Sequence, residues 1–84
     1  MDIMELMDRA ETAINAVLAK KYKGRRFIDD VAWGEDRFRL PIYEIGSNPM
    51  DCHGVAAFSF RLDEGEDPAK MLDEAVAYFL RYQL

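Results

Sequence analysis

The chain has 84 residues, with 16 acids against 11 bases and a formal net charge of −5. A chain of this length makes one domain, residues 1–84, with a thin core that buries only about 60% of the surface its unfolded form exposes. Half of it is apolar or aromatic, which excludes a disordered acidic tail. The acidic balance excludes a general nucleic-acid binder, whose phosphate contacts need a basic surface.

The single cysteine, Cys52, excludes an internal disulfide framework and fits a reducing compartment such as the cytoplasm. Asp2, Glu5 and Asp8 interrupt the N-terminal apolar residues, so no signal-peptide core is expected there. The longest apolar run, Ala75 to Leu80, is too short to span a bilayer. The acidic helix faces lack the lysines and arginines of a membrane-surface helix.

Residues 2 to 23 read as an amphipathic helix. Ile3, Met7, Ala10, Ile14 and Val17 recur at helical spacing, flanked by Leu6, Ala13 and Leu18. Acids crowd its first turns and Lys20, Lys21 and Lys23 its last, which suits the helix dipole, and Gly24 suits the position after the helix.

Residues 26 to 33 read as a strand in which Phe27, Val31 and Trp33 alternate and Asp29 is the misfit. Either Asp29 or Asp30 could seat a bulge that brings Ile28 into the core. Residues 38 to 45 read as a second strand. A turn formed by Gly34 to Arg37 sets Trp33 opposite Phe38 and Val31 opposite Leu40. A one-residue slip would turn a whole face outward, so this register is expected. Pro41 has no N–H for the ladder and predicts an edge or a bulge there.

Residues 46 to 53 read as a loop, and residues 54 to 62 as a third strand with Ala56, Phe58, Phe60 and Leu62 on one face. After the charged turn Asp63 to Glu66, Asp67 caps a C-terminal helix that starts at Pro68. Its apolar side carries Met71, Leu72, Ala75, Val76, Phe79 and Tyr82.

The predicted fold is α+β in the order α-β-β-β-α: a three-stranded antiparallel sheet with two helices packed on one face. Trp33 and Phe58 belong under the helices. Ile28, Arg39, Tyr43, Val55 and Arg61 belong on the open face. The order resembles that of the double-stranded-RNA-binding domain in topology only. That domain carries lysines where its second helix begins, whereas this chain reads Asp67-Pro68-Ala69-Lys70-Met71, so no function follows from the likeness.

Charge is distributed unevenly. Lys20, Lys21, Lys23, Arg25 and Arg26 hold five of the 11 bases, which leaves six against 16 acids, or −10, elsewhere. A meander brings Glu35, Asp36, Asp63, Glu64, Glu66 and Asp67 to one end, with Asp2 and Glu5 close by. Such a pole keeps a small domain soluble. It also resembles a phosphate backbone, and charge mimicry of this kind suits a small acidic inhibitor that occupies the site of a basic, nucleic-acid-binding host protein. Phage anti-defence proteins, anti-CRISPR proteins among them, work in this way. A homodimeric adaptor or structural subunit binding through the open sheet face is the alternative, since Tyr and Arg are favoured in binding hot spots. The expected state is a monomer or weak homodimer.

Catalysis is not expected. Cys52 and His53 are adjacent, so an extended chain points them apart, and the lone histidine leaves no second imidazole to act as base. Asp51, Cys52 and His53 fall short of a closed zinc set. A small enzyme or metal protein centred on Cys52 and His53 is the remaining reading. No cofactor motif is present.

Overall fold

The computed structural model describes residues 2–48, 50–63, 65 and 67–84. Helix α1 spans Ile3–Tyr22. The Asp2 carboxylate caps it, accepting from the Glu5 N–H at 2.9 Å. Lys23 and Gly24, both at positive φ, turn the chain out of it. Its buried residues Ile3, Leu6, Met7, Ala10, Ile14 and Leu18 form one helical stripe. Helix α2 spans Pro68–Tyr82, with Asp67 accepting from the Ala69 and Lys70 N–H groups. The helices run parallel: Arg9 pairs with Asp73 at 2.6 Å, and Lys21 Nζ donates to the Leu84 carbonyl at 3.1 Å.

Four strands follow α1: β1 (Arg26–Ile28), β2 (Ala32–Trp33), β3 (Arg37–Ile45) and β4 (Cys52–Arg61). All pairings are antiparallel. β3 is central, with β4 on one side and β1 and β2 in succession on the other. The class is α+β, as the sequence predicts. The first of the three expected strands is split in two, and β4 starts at Cys52 inside the expected loop.

The split has a local cause. The Pro41 carbonyl accepts from the Asp29 N–H at 3.2 Å. In an extended strand the N–H and C=O of one residue point to the same side, so the donor that Pro41 lacks also faces the first strand. There Asp29, Asp30 and Val31 stand against only Pro41 and Leu40, with Asp30 at φ 56°. Pro41 therefore lies in a central strand, and its partner strand bulges. The same bulge puts Ile28 opposite Ile42 and Trp33 opposite Phe38, on one face. Ile28 thus packs against the core and not on the open face as expected. A second irregularity, between Ile42 and Tyr43, leaves Val55 unpaired between Gly54 and Ala56, and Val55 joins the core side as well.

The core unites Phe38, Leu40, Ile42, Phe58 and Phe60 of the sheet with the α1 stripe and with Leu72, Val76 and Phe79 of α2. Phe58 meets Phe79 edge-on at 5.4 Å. Three expected core positions fail, among them Ala13, which is exposed on α1. Trp33 has the expected register but is 59% exposed. It ends a two-residue edge strand whose main contacts are with β3, while α1 lies on β1 and β3. Tyr82 is also exposed, its ring tilted against Tyr78 at 4.8 Å near the end of α2.

Candidate binding surface

The alternation of β3 and β4 sets the chemistry of the open face. Arg37 stands opposite Arg61, and Arg39 stands between Ala32 and Ser59, all on the side away from Phe38 and Leu40. Three guanidinium groups therefore meet at one end of the sheet. One carboxylate answers two of them. Asp36 accepts from Arg37 Nε at 2.9 Å and lies 3.6 Å from Arg61 Nε. The hydrogen bond from Arg37 holds the Asp36 carboxyl below the usual carboxylate range. Arg39 is in none of the ion pairs among the described residues.

The same end holds an open cleft of about 550 Å³, lined by Trp33, Arg37, Arg39, Ser59 and Arg61 among others. The exposed Trp33 indole stands on the Phe38 face of the edge strand and the exposed Arg37, Arg39 and Arg61 on the opposite face; Trp and Arg are both enriched at binding hot spots.

Of the expected open-face residues, Arg39, Tyr43 and Arg61 share that face, whereas Ile28 and Val55 do not. The Tyr43 ring stacks on Phe27 at 5.9 Å and reaches over Gly54, whose missing Cβ would stand 3.8 Å from it. The Tyr43 hydroxyl donates to Asp30 Oδ2 at 2.6 Å, and this bond to a carboxylate pushes its pKa above the ordinary value of 10.0. Tyr43 thereby closes the face over the bulge.

The end that carries the acidic residues is the end that carries the cleft. The Leu62 N–H donates to the Asp36 carbonyl at 2.7 Å, which ties the β2–β3 turn to the end of β4. Glu35 and Asp63 are exposed there, and neither is in an ion pair among the described residues. Asp36 is occupied by two arginines and Asp67 by the α2 cap. Glu64 and Glu66 lie outside the described residues. Sequence reasoning placed Arg39 and Arg61 on the open face but missed Arg37 beside them. The signal was Arg37 and Arg39 at alternate positions after the turn, but uniting them with Arg61 needs the β3–β4 register.

At the other end several cations are engaged. Arg25 donates to the Ile45 carbonyl at 2.8 Å. Arg26 pairs with Glu44 at 3.1 Å and lies 4.0 Å from the centre of the Tyr22 ring. His53 Nε2 is 3.8 Å from Glu44 Oε2. Cys52 pairs across the sheet with Ile45 and His53 with Glu44, so strand alternation sends thiol and imidazole to opposite faces. Among the described residues no group of three or more His, Cys, Asp or Glu side chains is placed to hold a metal ion, and no helix is long and apolar enough to cross a membrane.

Comparison with protein-family models, with curated proteins and with solved structures finds no match for this chain.

Proposed function

We propose that this is a non-catalytic protein-binding domain, an adaptor or structural subunit that engages its partner through the open sheet face. The observation that carries the reading is the end of the sheet, where Arg37, Arg39 and Arg61 share the open face, Asp36 answers only Arg37 and Arg61, and Trp33 on the neighbouring edge strand is 59% exposed. An exposed Trp costs solubility and adds nothing to this core, whereas at an interface it supplies a large rigid contact. The lone, exposed Cys52 suits a reducing compartment, and the cytoplasm is the location we assign.

A second reading has one observation in its favour. Glu35 and Asp63 are exposed and outside the ion pairs of the described residues. They offer a start for the acidic inhibitor that blocks a nucleic-acid-binding protein by charge mimicry, as in phage anti-defence. The engagement of Asp36 and Asp67 within the fold leaves fewer carboxylates for that role and ranks it second.

Capture of partners from a native lysate separates the two. The variant Trp33→Ala/Arg39→Gln/Arg61→Gln should lose the captured protein. The variant Asp63→Asn/Glu64→Gln/Glu66→Gln should keep it. The opposite pattern would transfer function to the acidic end.

A further inference from the structure

Arg37 and Arg39 sit two residues apart on one strand face, about 7 Å from each other along the strand. Arg61 lies across from Arg37 on β4. Asp36 answers Arg37 and Arg61, and Arg39 stands outside the ion pairs of the described residues. This positive cluster belongs to a chain of net charge −5. The small residues Ala32, Gly34 and Ser59 line the cleft with the arginines.

We infer that the cleft takes an acidic, extended peptide segment of a partner protein, its carboxylates at alternate positions. An extended segment repeats its side chains on one face at the same ~7 Å interval as Arg37 and Arg39, so two carboxylates meet two guanidinium groups without distortion. Charge complementarity selects an anionic occupant. A nucleic acid fits less well: Glu35 and Asp63 border this end, and the net charge repels a continuous polyanion beyond the three arginines. The inference rests on the sheet-face reading and adds the partner's chemistry to it.

The test uses two synthetic peptides, one alternating Glu with Val, the other with Gln at every Glu. Trp33, the only tryptophan, stands on the Phe38 face, so its emission is the control for binding on the wrong face. Amide shifts of Ser59 and Arg61 locate the binding. The Glu peptide should move both amides, and its affinity should fall at least several-fold between about 0.1 M and 1 M salt, where the Debye length shrinks from about 10 Å to about 3 Å. Arg39→Gln should weaken it about fivefold or more, and Arg39→Lys should restore most of the loss. Equal binding of the Gln peptide overturns the inference. So does an oligothymidylate that competes at Ser59 and Arg61, or a concentration-dependent doubling of mass that moves the Ser59 and Arg61 amides without peptide. If neither peptide binds but the Trp33→Ala/Arg39→Gln/Arg61→Gln variant still loses its captured partner, the acidic occupant falls and the sheet-face reading stands. If that variant also keeps its partner, both fall.

Discussion

The Pro41 carbonyl accepts the Asp29 N–H at 3.2 Å at the point where the first strand leaves the ladder. Missing donor and extra residue meet at one place, so the central strand keeps its line and the edge strand absorbs the irregularity. Two consequences follow for the surface. Ile28 turns inward, and Asp30 is positioned to receive the Tyr43 hydroxyl. The bulge also delivers Trp33 to the end of an edge strand that the helices do not cover.

The bulge depends on Asp30 at φ 56°, a region that Asp tolerates and a β-branched residue does not. Asp30→Val should therefore destabilise the fold by about 1–2 kcal/mol, and Asp30→Gly by less, since Gly adopts this backbone freely. Urea unfolding of the two variants checks the order. A more stable Val variant would contradict the bulge.

Phe58 is 3% exposed and touches both the sheet and α2, with Phe38 at 6.0 Å and Phe79 at 5.4 Å. Phe58→Ala should cost roughly 3–5 kcal/mol, a large share of the stability of a domain of this size. The midpoint of urea unfolding measures it. A variant that unfolds at the parent's midpoint would place Phe58 outside the core.

The Arg9–Asp73 pair joins the two helices, and the hydrogen bond from Arg9 holds the Asp73 carboxyl below its ordinary value of 3.8. A carboxylate with a depressed folded pKa contributes stability above its unfolded pKa and loses it as pH falls through the folded one. Stability of the parent should therefore decline below about pH 4, and Asp73→Asn should flatten that decline. At neutral pH the variant should lose no more than about 5 °C in Tm, because the pair is exposed. Thermal melts across the acid range decide it.

Cys52 is exposed at the start of β4, and His53 faces the other side. Cys52→Ser should leave circular dichroism, Tm and partner capture as they are in the parent. Lost capture with an unchanged fold would bring the thiol into the function.

The helices, the Asp67 cap and the β2–β3 turn were legible because each rests on local chemistry: apolar stripes at helical spacing, Pro68 after a cap, and a Trp33–Phe38 register fixed by which faces must hide, whereas Asp2, read as the first helical residue, is the cap of α1. The bulges were half legible. Asp29, Asp30 and Pro41 each mark an irregularity, but which strand gives way depends on the side of β3 that Pro41 faces. Val55 carried no mark at all, since its displacement arises in the β3–β4 pairing. Trp33 misled because register decides the face of a side chain, while coverage by a helix decides its burial. The arginine face was half legible: alternation put Arg39 and Arg61 on the open face, but the pairing of Arg37 with Arg61 is a property of the register.

The most direct measurement maps amide and indole shifts of the labelled protein as the captured partner is added. Shifts are expected at Trp33, Arg39, Ala57, Ser59 and Arg61, with Asp8, Glu11, Asp63 and Gly65 unmoved. Shifts concentrated at Asp63, Gly65 and the start of α2, with Ala57 and Ser59 silent, would contradict binding through the open sheet face.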